Sequence, residues 1–273
     1  MTRPSHAIVF VTHVRSARVA AYLERLRRET QHLLPVFVCV DERRDRADTL
    51  PGFPADLKVD MEAAEHVVPA RTANGGKVGY FPHYDLFYVP ALIDPKLAAF
   101  DYLWMMEADV DFAGDWGTFF EAAMHSTADL LATTIYPRPI DPRWPHWHLF
   151  GPPANIAQEF RIRAFLPLSR YSRRLLSAFV EETNAWRWKG IYEAVFPSLA
   201  FSEGWEIGDF GGSGPFKWEG PSFYWNTFKE NSLSPGTFTA GDPRYSYFHE
   251  DPDAFPERGQ IYHPVKGWDP PYR

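Results

Sequence analysis

Three carboxylates at alternate positions, Glu107, Asp109 and Asp111, follow directly on the apolar run Tyr102 to Met106 in "DYLWMMEADVDF" (101–112). Side chains alternate along an extended segment, so the three are expected to share one face while Val110 and Phe112 point the other way. Like charges held this close repel, and the arrangement costs free energy unless something positive sits among them. A divalent cation, Mn²⁺ or Mg²⁺, meets that need: it takes hard oxygen ligands and keeps positions open for substrate phosphates. A solvated acidic loop is the plain alternative, and strict i, i+2, i+4 spacing directly after a buried strand speaks against it. A second pair, His146 and His148 in "RWPHWHLFG" (143–151), suits a metallohydrolase or phosphodiesterase site. In a loop rich in Pro and Trp such histidines also serve as acceptor contacts or structural residues.

The elements that must position these groups are legible in the hydrophobic pattern. "AIVFVTH" (7–13) is a continuous apolar run of strand length, and residues 16–32 place Val19, Tyr22, Leu23 and Leu26 on one helical face behind an N-capping Ser16. "LPVFVCVDE" (34–42) is a second buried strand. Strand, helix and strand in so short a span make a βαβ unit and imply a parallel sheet covered on both faces. Residues 101–110 add a strand, 115–126 a helix capped by Asp115, and 129–137 another strand. Beyond a Pro/Trp/His-rich loop (137–153), residues 160–169 read as a strand, 170–186 as a helix, and 189–202 as a short helix followed by a turn at Pro197. From about residue 204 the periodicity fails into Gly, Pro and aromatic loops. The expectation is one α/β domain over 1–273: a mostly parallel mixed sheet flanked by helices, with an irregular, aromatic and Pro-rich C-terminal portion wrapped over it. Ligands in open parallel sheets sit beyond the carboxyl ends of the strands, which singles out Thr12, His13, Asp41, Glu42 and the acidic cluster.

Composition narrows the classes. The 273 residues carry a net charge of −7 with no long basic block, which sets nucleic-acid binding aside. The single Cys39 excludes an internal disulfide and a cysteine-based zinc site. No stretch approaches a membrane span, and the first strand begins near residue 7 without room for a signal peptide, so a soluble, cytoplasmic chain is expected, with peripheral membrane attachment compatible. The 10 Trp, 13 Tyr and 22 Phe exceed what a core of this size needs. Their flat faces suit sugar rings and nucleobases, and equally suit compact loop packing. No Gly-x-x-x-x-Gly-Lys-Ser/Thr, Gly-x-Gly-x-x-Gly or Gly-x-Ser-x-Gly occurs where it would be needed, which argues against an ATPase, a nicotinamide dehydrogenase and a serine hydrolase.

A hydrophobic strand ending in Asp-x-Asp, preceded by a βαβ half and followed by a strand–helix half, resembles the GT-A glycosyltransferases over roughly residues 7–200 in element order. The resemblance implies a GT-A-like (Rossmann-like) fold with a nucleotide-sugar donor half over about 1–112 and an acceptor half over about 113–273. It implies that Asp109-Val110-Asp111 holds Mn²⁺ or Mg²⁺ against the diphosphate of a UDP- or GDP-linked sugar, with Glu107 an extra acid. "YEAVFPSLAFSEGWEI" (192–207) is similar to the acceptor-side segment of several GT-A families, with Glu193 at the matching acid. No His precedes it and Ser198 stands where Thr is common, so Glu193 and Glu203 compete for the role of base. In "IYHPVKGW" (261–268) the resemblance implies His263 as third metal ligand, with His249 its rival, and Lys266 on the leaving diphosphate. Thr12, His13 and Asp41 are placed to meet base and ribose, Lys77 to reach a phosphate and Asp85 sugar hydroxyls.

The chemistry expected is transfer of a sugar to a hydroxyl of a glycan, lipid or small-molecule acceptor, with metal and Lys266 stabilising charge on the departing phosphate. An inverting course needs Glu193 or Glu203 to take the acceptor proton; a retaining course needs no base. The competing expectations are the metal-dependent hydrolase built on His146 and His148, and a non-catalytic carbohydrate-binding protein, which the βαβ start opposes.

Overall fold

Apolar runs that are buried on both faces become the strands of one sheet, and the amphipathic segments between them become its cover. A computed structural model describes residues 4–40, 50–57, 91–211, 214–225, 236–239 and 255–265. Within them the chain forms β1 (His6–Thr12), α1 (Ala17–Thr30), β2 (Val36–Val40), β3 (Tyr102–Glu107), β4 (Asp111–Phe112), α2 (Trp116–Ala123), β5 (Leu130–Pro137), β6 (Phe150–Gly151), β7 (Ile162–Ser172), α3 (Arg173–Asn184), β8 (Lys189–Gly190), α4 (Tyr192–Ser202), β9 (Ile207–Asp209) and β10 (Ile261–Tyr262). Ser16 and Asp115 cap α1 and α2 as expected, accepting from the amides of Val19 and Thr118.

The six-stranded sheet runs β2-β1-β3-β7-β5-β9. It is mixed and mostly parallel, with β7 antiparallel to both β3 and β5, and helices flank it: the architecture expected of a GT-A-like fold is present. Leu103 and Met105 of β3 join α3 and α4 in one apolar cluster, whereas Trp104 and Met106 join α1 and α2 in the other. The carboxyl ends of β1, β2, β3, β5 and β9 therefore lie on one edge.

The C-terminal portion returns to that edge. β10 pairs antiparallel with β4, Tyr262 opposite Asp111 and Ile261 opposite Phe112, and Phe238 bridges His263. Among the described residues the aromatic surplus is mostly core. Trp104, Trp116, Phe119, Phe120 and Phe210 are fully buried, with Trp104 meeting Phe120 edge-on at 4.9 Å. Trp144, Trp147 and Trp188 are also buried, so the Pro/Trp loop packs inward, while Trp186 and Trp225 keep 42% and 40% of their surface. No helix of the described residues is long and apolar enough to cross a membrane.

Candidate active site

The acidic strand ends sooner than its alternation suggested. β3 stops at Glu107, and the Val110 amide turns back to the Glu107 carbonyl at 3.1 Å before β4 resumes at Asp111. Glu107 keeps the parity of Leu103 and Met105 and so faces the α4 side of the sheet. The turn at Ala108 and Asp109 breaks the two-residue period, and Asp111 emerges on the side of α1. The expectation that Glu107, Asp109 and Asp111 share one face is therefore corrected, and with it the pairing of Asp109 with Asp111 as a metal clamp.

The group that does come together is Glu107, Asp109 and His263. One ligand atom from each lies within 4.8 Å of the others, a separation that one divalent cation with bonds of about 2.1 Å spans after a small contraction. His263 is aimed by its neighbours. Its Nδ1 lies 2.6 Å from the Thr239 carbonyl oxygen, which can only accept, so the neutral ring carries its hydrogen there and turns the Nε2 lone pair toward Asp109 Oδ1 at 3.6 Å. Phe165 and Phe238 pack against the ring at 5.1 and 5.2 Å, and the Val265 amide donates to the Asp109 carbonyl at 2.8 Å. An oxygen-rich, partly accessible donor set with an oriented imidazole fits Mn²⁺ or Mg²⁺.

Asp111 is fully buried and bound elsewhere. Its Oδ1 accepts from Arg25 Nη1 at 3.0 Å and from the Phe112 amide at 2.7 Å. Its Oδ2 meets no donor among the described residues, and burial pushes the carboxyl up to about 7 despite the opposing pull of Arg25. Sequence reading missed Arg25. The signal was there: an arginine three residues after Tyr22 on the apolar stripe of α1 implies a buried partner.

On the acceptor side, Glu193 sits in the first turn of α4, on the same sheet face as Glu107. It is half-buried, and burial pushes its carboxyl up to about 8 against an opposing pull from Arg163. Among the described residues no hydrogen bond reaches that carboxyl. Arg163 is taken by Asp141, with Nε and Nη2 at 2.8 and 2.7 Å from the same Oδ2. Burial raises the Tyr171 hydroxyl first, and both Glu193 and Glu107 raise it further. Pro197 lies inside α4 rather than ending it, a correction to the expected turn. Lacking an N–H, Pro197 leaves the Glu193 carbonyl without its usual i+4 donor. Glu203 caps the opposite, exposed end of α4.

A third buried carboxylate lies at the end of β9. Asp209 accepts from the Tyr224 hydroxyl at 2.6 Å and from the Ile135 and Gly211 amides at 2.8 and 3.1 Å, and burial lifts it to about 7. The Tyr224 hydroxyl in turn accepts from the amide of Thr134, whose φ of 55° marks a left-handed residue within the irregular register of β5. No motif pointed to this pair.

The Thr12 hydroxyl is buried in a local turn, donating to the Val14 carbonyl at 2.8 Å and accepting from its amide at 2.9 Å, which corrects its assignment as a ligand contact. His13 is half-buried at the end of β1. Asp41, Lys77, Asp85, His249 and Lys266 lie outside the described residues. His146 and His148 form no metal-ligand group among the described residues. His146 is half-buried against Trp144 at 5.2 Å, its pKa lowered by burial first and then by His148 and Arg163, and His148 is exposed with Nδ1 on the Pro145 carbonyl.

No protein-family model and no curated protein matches the chain. Among solved structures it is similar to the mannosyltransferase Ktr4p from S. cerevisiae at 12% identity and a TM-score of 0.40, over 72% of this chain and 65% of that one. It is similar to mouse xyloside xylosyltransferase 1 at 10% identity and a TM-score of 0.41, over 78% and 87%. It is likewise similar to the galactosyltransferase LgtC, solved with donor and acceptor sugar analogs, at 15% identity and a TM-score of 0.38, over 71% and 69%. Superpositions this loose leave the chemistry to be argued from the residues themselves.

Proposed function

We propose that the chain is a metal-dependent glycosyltransferase that moves a sugar from a UDP- or GDP-linked donor to an acceptor hydroxyl. The observation that carries the reading is the convergence of Glu107, Asp109 and His263 at the carboxyl edge of the parallel strands, with His263 delivered from the far end of the chain. Glu107, Asp109 and His263 hold the divalent cation, Mn²⁺ or Mg²⁺. When bound, such a cation neutralises the charge that develops on a departing diphosphate. His13 and Asp41 are assigned to the nucleoside, Lys77 and Lys266 to the phosphates and Asp85 to sugar hydroxyls. Glu193, desolvated and without a hydrogen bond among the described residues, takes the proton of the acceptor hydroxyl as the new glycosidic bond forms. The acceptor is a glycan, a lipid or a small molecule.

A thermal-shift screen of nucleoside diphosphates with and without Mn²⁺ tests the reading. Stabilisation by UDP or GDP that requires Mn²⁺ is expected, about 2.7 kcal/mol at a ligand concentration 100 times its dissociation constant. Asp109→Ala should remove the Mn²⁺-dependent part and abolish transfer while the chain stays folded. No response to any nucleotide, with phosphate released from a generic ester, overturns the transferase in favour of a hydrolase.

A further inference from the structure

The turn that carries Asp109 is held from two sides. On one side stands α1. Arg25 sits 6% exposed and spreads its guanidinium over the acidic segment, with Nη1 on Asp111 Oδ1 at 3.0 Å and Nη2 on the carbonyls of Phe112 and Gly114 at 3.0 and 2.9 Å. Its Nε donates to Glu29 Oε1 at 3.0 Å, and Glu29 Oε2 accepts from the Trp116 amide at 3.0 Å, so the guanidinium is locked in orientation. One turn earlier on the same helix, the Tyr22 hydroxyl donates to the Val110 carbonyl at 2.6 Å. On the other side stands the C-terminal segment, which pairs β10 with β4 and places the Val265 amide on the Asp109 carbonyl at 2.8 Å. The backbone immediately after Asp109 is thereby fixed between α1 and the segment that delivers His263.

We propose that Arg25 and Asp111 act as a positioning clamp: their buried ion pair holds the Asp109 turn in the register that lets Asp109 and His263 share one cation, and Asp111 is not itself a ligand. The inference rests on the metal assignment made under the proposed function. Two physical points carry it. Asp111 Oδ1 is already occupied by two donors, and among the described residues the ligand atoms that gather within 4.8 Å of one another come from Glu107, Asp109 and His263, with neither oxygen of Asp111 among them. A buried ion pair contributes little net stability, because desolvation offsets its attraction, so the value of this one lies in the geometry it imposes. A ligand two residues along a turn is sensitive to such an anchor, since a displacement near 1 Å degrades a metal site.

The full chain carrying Asp111→Asn, Arg25→Lys or Asp109→Asn tests the clamp by two readouts: the affinity for Mn²⁺, titrated by the signal of the free ion, and amide exchange in the metal-free protein. Asp109→Asn should remove binding. Asp111→Asn and Arg25→Lys should each weaken it about 10- to 100-fold without abolishing it, as loss of a partner behind the ligands does elsewhere. The double variant should be little worse than either single one, because the pair acts as a unit. Exchange of the Val265 amide should accelerate in both clamp variants, while the β1 amides of Ile8 and Phe10 stay protected. Loss of binding in Asp111→Asn as complete as in Asp109→Asn, with Arg25→Lys at wild-type affinity, makes Asp111 a ligand and overturns the proposal. Lowered Tm with unchanged Mn²⁺ affinity and unchanged Val265 exchange makes the pair merely structural and overturns it too. A wild-type chain that binds no Mn²⁺ refutes the metal assignment instead. The clamp on the turn is then decided by exchange alone, supported by acceleration confined to Val265 and its neighbours and refuted by none.

Discussion

Asp111 and Glu193 make a controlled comparison within one molecule. Burial raises both carboxyls, to about 7 and about 8, so direction and cause are shared. Their surroundings differ. Asp111 has no exposed surface, a guanidinium at 3.0 Å and a backbone amide at 2.7 Å; Glu193 keeps a path to solvent and has no hydrogen bond among the described residues. A raised pKa marks either a structural ion pair or a reactive group, and only access and partners separate them. By that criterion Asp111 has the surroundings of a structural ion pair, and Glu193 has those of a reactive group.

The largest effect is expected from Glu193→Gln. Transfer should fall roughly 10²-fold or more while Mn²⁺ and nucleotide-sugar binding survive, since the group acts on the acceptor proton alone. The wild-type rate should climb with pH toward about 8, as the carboxylate form accumulates, and the Gln variant should lose that limb. Stability carries the same signature with a defined sign. The folded chain holds the Glu193 proton more tightly than the unfolded chain, so the contribution is full below the ordinary carboxylate range and lost as pH rises toward about 8. Melting curves of wild type and variant should therefore converge at low pH and separate above it. Equal loss of donor affinity would make Glu193 a donor contact instead.

A smaller effect is expected from Gly190, which sets where α4 begins. Its φ is +100°, and a Cβ there would stand 1.8 Å from the Leu149 carbonyl oxygen, the same oxygen that accepts from the Ile191 amide at 3.1 Å. Gly190→Ala should cost about 1–3 kcal/mol and raise the acceptor KM by displacing the first turn of α4. Mn²⁺ affinity should not change, because the metal group hangs on β3, the Asp109 turn and the C-terminal segment. A parallel loss of Mn²⁺ affinity would show that the two regions are one cooperative unit and erase the distinction.

Much of this was legible beforehand. Ser16 and Asp115 marked helix starts because short polar side chains satisfy amides that the helix leaves open, and the apolar runs of β1, β2 and β3 had to be buried. The placement of Glu107 and Asp109 just beyond β3 was legible for the same reason. Which acids gather there was only partly so. Alternation assigns Asp111 to the face of Glu107 only if the strand continues, and nothing local announced a turn at Ala108 and Asp109. The local pattern makes Pro197 a stop, yet the interior of α4 tolerates it because Val195, Phe196 and Leu199 bury the helix on its neighbours. Arg25 and the Asp209–Tyr224 pair depend on contacts 86 and 15 residues apart in sequence, which no periodicity encodes.

The mildest expectation concerns Glu203, and it sharpens the comparison by having no effect. Glu203 and Glu193 belong to the same helix, ten positions apart, which at 1.5 Å per residue separates them by about 15 Å. Glu203 is exposed at the C-terminal cap, where its amide serves the Leu199 and Phe201 carbonyls and its side chain meets water. A group so placed does not reach the end of α4 that carries Glu193. Glu203→Gln should leave the transfer rate within about twofold and stability within about 0.5 kcal/mol, the usual range for a surface substitution. Steady-state kinetics beside the Glu193→Gln variant make the measurement, with both chains assayed at saturating Mn²⁺. A loss near 10²-fold in Glu203→Gln, with Glu193→Gln near wild type, would put the acceptor at the other end of α4 and reverse the roles of the two acids.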